Sequence, residues 1–270
     1  MRPDPRQRPH SSRGAALAAI HPIARAEHPL GLLWRQRLSL SNAAAVARQV
    51  GRTEDEAALR DAWYLTRDGD NPGPGGRILS AWRALSERAA LTCEHWLQVL
   101  SAAFELRQDA ALEEVVARAT KLARGEGTFA AAAEIAAVSM KLRPDCEPLA
   151  LWLADAVLAQ RLKWPAPVPL IAKEVRRADL RGAPRHLEGG GAWLTALSLA
   201  YARAAASASD LYAAASHDPR HRRAKTALQG CRSHRRDPAE RRRATGDGRQ
   251  GERPLEPAPV RAPRGTRGRA

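Results

Sequence analysis

The stretch Glu147–Ala172 reads EPLALWLADAVLAQRLKWPAPVPLIA, and its reading decides the fold. From Leu149 to Ala159 every residue except Asp155 is apolar. A helix apolar on all of its faces is buried on all of them, so a central core helix is predicted at Glu147–Arg161. Trp152 and Leu153 are its anchors, and Trp152→Ala is expected to cost about 3–5 kcal/mol if the indole is fully packed. The run is too short for a membrane helix, which needs about 20 apolar residues, and Arg161 and Lys163 soon follow it. Pro165, Pro167 and Pro169 then predict a short extended spacer.

Outward from this segment, helical periodicity recurs from Ala15 to Ala215 and strand-like alternation is almost absent. Leu30–Val50 reads as one helix ended by Gly51. Thr53-Glu54-Asp55-Glu56 matches a capping box, with Thr53 as the cap. The helix it opens sets Leu59, Ala62, Trp63 and Thr66 along one side. Arg67–Gly76, RDGDNPGPGG, predicts a loop. Helical pattern resumes at Arg77–Arg88, Cys93–Leu106, Ala110–Ala123 and Phe129–Leu142. After the core helix it returns at Ile171–Ala178 and Ala192–Ala215, around a turn through Gly189-Gly190-Gly191. No sequence repeat is visible, so the fold class is all-α, an irregular multi-helix bundle.

The composition changes at Ser216. All seven Trp lie before it, and from Ser216 onward the large aliphatics are only Leu228, Leu255 and Val260. That stretch holds 16 Lys+Arg against 6 Asp+Glu, which supplies +10 of the chain's +15. Residues 14–215 carry 24 basic and 22 acidic groups, so the body makes no electrostatic case for nucleic acid or an anionic membrane. The expected organisation is a disordered basic N-terminus at 1–13, a helical domain at 14–215 and a disordered Arg-rich tail at 216–270. Arg222-Arg223, Arg235-Arg236 and Arg241–Arg243 could neutralise phosphates, but without aromatics to stack bases such binding would be unspecific. Cys93, Cys146 and Cys231 are odd in number and far apart, which favours a reducing cytoplasm over a disulfide framework. Gly14–Ile20 is too short and too soon cut by His21-Pro22 for a signal peptide.

Asp155 is the first candidate for chemistry, because a carboxylate in an apolar helix must be paired, hydrogen-bonded or protonated. As a general acid or base it would have a raised pKa, and as a structural group it would partner a core Arg or a helix N-terminus. Asp55, Glu56, Arg60 and Asp61 form a charged cluster at helical spacing, which is also an ordinary surface pattern. The Asp68–Gly76 loop begins like a calcium loop, but Pro72 and Leu79 stand where ligands belong. It also lacks the Lys-Ser/Thr ending of a phosphate loop. Cys93-x-His95 and Cys231-x-x-His234 supply no four convergent ligands, so neither metal nor cofactor is predicted.

Two stretches carry a family resemblance: Trp34–Leu85, which opens WRQRLSLSNAAAVARQVGRTEDEAAL, and Glu147–Ala172, echoed by LSLAYARAAASASDLY at Leu197–Tyr212. Together they resemble the bacterial family catalogued as domain of unknown function 1403, over about residues 14–212. The resemblance implies a helical bacterial protein and carries no activity. It also implies further helix and an apolar C-terminus beyond Tyr212, from which this chain departs. Of the 55 residues from Ser216 onward, 34 are Ala, Arg, Gly or Pro, the types encoded by GC-rich codons. A frameshifted or diverged ending is therefore expected, and translation of the neighbouring frames tests it. Three functions follow as expectations. The first is a non-catalytic scaffold that contacts another protein. The second is unspecific nucleic-acid association through the Arg-rich ends, and the third an enzyme with an Asp155-centred acidic/Arg pocket.

Overall fold

The computed structural model describes residues 8–26, 29–67, 69–86, 91 and 95–217. These residues form helices α1 (Arg8–Arg25), α2 (Pro29–Gln49), α3 (Glu56–Tyr64), α4 (Gly73–Leu85) and α5 (His95–Phe104). There follow α6 (Ala110–Arg124), α7 (Thr128–Leu142), α8 (Glu147–Arg161) and α9 (Arg177–Arg181), a 3-10 turn at Ala183–Glu188, and α10 (Ala192–His217). No strand occurs among the described residues, and the all-α reading holds.

α8 is the centre that its composition demands, with every residue from Glu147 to Ala159 buried. α7 lies along it, and its buried alanines Ala131–Ala133, Ala136 and Ala137 let neighbouring elements approach its backbone closely. α6 closes over both, α1 packs on α10, and α2, α3 and α5 gather around α4. Tryptophans pin these layers together. The Trp152 indole donates to the Ala81 carbonyl on α4 at 2.9 Å, and its ring stacks on Trp96 of α5 at 5.2 Å. Trp34 on α2 donates to Ala208 O on α10 at 2.7 Å, and Trp193 on α10 donates to Ala133 O on α7 at 2.9 Å. Each acceptor belongs to an alanine on another helix, where no bulky side chain keeps the indole away. Each bond also gives a buried N–H the partner it requires.

Several boundaries differ from the sequence reading. α1 begins at Arg8, inside the stretch expected to lie outside the domain. The cap of α3 is Asp55, whose carboxylate accepts from Ala58 N at 2.8 Å, and not Thr53. Glu54 instead pairs with Arg52. α4 starts at Gly73, within the predicted loop, because proline at N1/N2 suits a helix's first turn. A Cβ at Gly76 would come within 2.5 Å of the Pro72 side chain, so the glycine is needed where the helix starts. Ile171–Ala178 is not a helix: a turn from Ile171 leads to the short α9, which starts only at Arg177. α10 reaches His217, and the predicted disordered tail beyond it lies outside the described residues, as do Cys93, Cys231 and Asp68.

Candidate functional site

Between α8 and α9 the chain from Pro165 to Val175 has no regular secondary structure, yet Val168, Leu170, Ile171 and Ala172 are all buried. A buried irregular segment must still satisfy its backbone amides and carbonyls. Side chains from the flanking helices do this. Asp155 Oδ2 accepts from Leu170 N at 2.8 Å and from Ile171 N at 3.3 Å. Asn42 of α2 donates to Pro169 O at 3.2 Å and accepts from Lys173 N at 3.1 Å. Gln49 of α2 donates to Ala172 O at 3.0 Å. Thus Asp155 is partnered by loop amides, neither by a core Arg nor by a helix N-terminus. Burial pushes its carboxyl up to about 7, against the lowering effect of the two amides. Its other oxygen faces the buried Tyr201 phenol without a formed hydrogen bond, and burial together with that carboxyl raises the phenol's pKa.

The outer side of this pinned segment is part of a groove of about 580 Å3. One wall is the α2 face bearing Leu30, Leu33, Trp34, Arg37 and Leu38. The opposite wall is the α10 face bearing Ala204, Ser207, Leu211 and Ala215. Pro169 and Leu170 contribute to it, and Glu56, Arg60, Tyr64 and Arg83 reach it from α3 and α4. Leu33 is 44 % exposed and Tyr64 is 65 % exposed, so apolar surface is open to solvent here. Arg83 lies over the rings of Trp63 and Tyr64, 4.5 and 5.5 Å from their centres, and its Nε is buried without a hydrogen-bond partner.

The structure therefore divides the predicted candidates. Glu56 and Arg60 line the groove, Arg60 is paired with Asp61 at 3.1 Å, and Asp55 is spent on the α3 cap. Asp155 does not line it: its carboxylate is buried and accepts from the amide of Leu170, a residue that does. Sequence reasoning missed Asn42, Gln49, Arg37, Arg83 and Lys173. The signal available for α2 was its two apolar faces, since Trp34 and Leu38 are buried while Leu32 and Leu33 are exposed. Cys146 is buried and its thiol is pushed up to about 12, which keeps it protonated and unreactive. Among the described residues no cluster of His, Cys, Asp and Glu is arranged to hold a metal ion.

Compared with known protein families, the chain matches the one described as "Protein of unknown function (DUF1403)" over residues 6–245. The match runs beyond Tyr212, so the family pattern does not stop where the sequence reading placed its end. No curated protein and no solved structure matches the chain.

Proposed function

Because the chain belongs to the DUF1403 family, whose description names no activity, we propose a function from its surface. It is a non-catalytic scaffold that binds another protein through the groove between α2 and α10. The observation that supports this reading is the groove itself, an open cleft lined by apolar and charged side chains together. Asp155, a buried carboxyl with a raised pKa, is held by the amides of Leu170 and Ile171 and does not line the groove. Among the described residues no helix is long and apolar enough to cross a membrane. A bacterial cytoplasm is the proposed setting, in keeping with three widely spaced cysteines.

A photo-crosslinking residue in place of Leu33 tests the proposal in the cells that make the protein. The matched control replaces Leu199, which is 45 % exposed on α10 and outside the groove. The expected result is a discrete protein adduct at position 33 and none at 199. Equal adducts at both positions, or none at 33, would sink the scaffold reading.

A further inference from the structure

The walls of the groove specify what fills it. Trp34, early in α2, meets Ala208 and Tyr212, late in α10. Asn42, further along α2, holds Lys173, and Glu174 beside it binds Arg203, which precedes Ala208 and Tyr212 in α10. The two helices therefore run in opposite directions along the groove. The lining faces Leu30–Asn42 and Ala204–Ala215 correspond to roughly 16–18 Å of helix, or about three turns. Two antiparallel helices flanking a cleft of that length, with Leu33 and Leu211 facing into it, offer the seat of a third helix. Ala204, Ser207 and Ala215 are small, so the seated backbone can come close on the α10 side.

Charge sets the polarity of the guest. Glu174 is bound to Arg203 and Arg60 to Asp61, which removes those two lining charges from play. Arg37, Arg83 and Lys173 have no carboxylate partner among the described residues, and the only lining carboxylate left to oppose them is Glu56. Arg83 is held in place by the rings of Trp63 and Tyr64, so its charge is presented in a fixed position. The chain's own Arg-rich C-terminal stretch has the wrong sign for these walls and almost no large aliphatics to fill the seam.

We infer that the occupant of the α2–α10 groove is an acidic amphipathic helix of about three turns, contributed by a partner protein. This rests on the scaffold reading and gives its partner a chemistry. Leu, Ile or Phe side chains at i, i+3, i+4 and i+7 enter the seam between Leu33 and Leu211, and Asp or Glu on the flanks meet Arg37, Arg83 and Lys173.

Two hydrocarbon-stapled peptides provide the probe. One carries Leu at those four positions with Glu along the flanks, and the other has Lys in place of every Glu. Fluorescence anisotropy with the full chain is expected to favour the Glu peptide by about tenfold or more. The double variant Arg37→Glu, Lys173→Glu changes two exposed side chains and should reverse that preference. Because the Arg-rich C-terminal stretch is the same in both proteins, unchanged affinity in the double variant would assign the attraction to that stretch and overturn the inference. So would equal binding of the two peptides, or binding of sodium decanoate where neither peptide binds. A protein adduct at position 33 together with any of these results would leave the scaffold standing and remove only the acidic helix.

Discussion

Asp155 couples the core to pH with a definite sign. Burial raises its carboxyl from 3.8 to about 7, so the folded state holds the proton more tightly than the unfolded state does. Its contribution is therefore fully present below about pH 4 and is lost as the pH climbs toward 7, an amount on the order of 4 kcal/mol. Glu54 and Asp145 act in the opposite sense, because arginine partners lower their pKa values and their stabilisation disappears only in acid. Asp155→Asn isolates the first effect. Its amide oxygen can still accept from Leu170 N and Ile171 N, and its NH2 can donate to the Tyr201 hydroxyl. Denaturant midpoints for native and variant should diverge steadily between pH 4 and pH 7, with the variant the more stable above pH 7. Parallel curves would mean that the native carboxyl stays ionised. That Asp155 needed a partner was legible from its apolar neighbours. Which partner was not, because the amides that hold it lie beyond three prolines and a break in the helix.

At the level of elements, the long helices were legible and the irregular ones were not. α8 follows from composition alone, since an alanine- and leucine-rich run with no polar face has one place to go. The 165–175 segment resisted reading because its order comes from Asn42, Gln49 and Asp155 and owes little to its own propensities. Asn42 is the sharpest test of that account. It is 2 % exposed, and Asn42→Ala removes the partner of the buried Pro169 carbonyl and the part-buried Lys173 amide, at a cost of about 1–3 kcal/mol. Hydrogen exchange should then quicken at Lys173 and its neighbours while the amides of α7 and α8 keep their protection. Equal acceleration throughout would show that the segment opens only with the whole domain. α4 is a second instance. Its glycines and prolines look like a loop in isolation, yet proline suits a helix's first turn and Gly75 leaves room for Glu54 and Leu59 of the preceding elements.

For the whole molecule, net charge is a poor guide to the folded body. The 16 basic residues of the C-terminal stretch dominate the pI of about 11, whereas residues 14–215 are nearly balanced. Deleting residues 218–270 is expected to leave the helical circular-dichroism signal and the thermal midpoint of the body in place. Any DNA affinity of the full chain, with its salt dependence, should vanish in the same deletion. Affinity that survived would relocate nucleic-acid binding to the body. The groove itself could not be read from composition, because it is built from one face each of α2 and α10, helices some 150 residues apart in sequence. The near-parallel Trp96–Trp152 pair, tilted by only 15°, carries a further consequence. Two indoles so close couple their electronic transitions and add to the near-ultraviolet circular dichroism a band contribution that neither ring gives alone. That band reports on one event, the seating of α5 against α8, and it would fade if α5 lifted away while every helix remained intact.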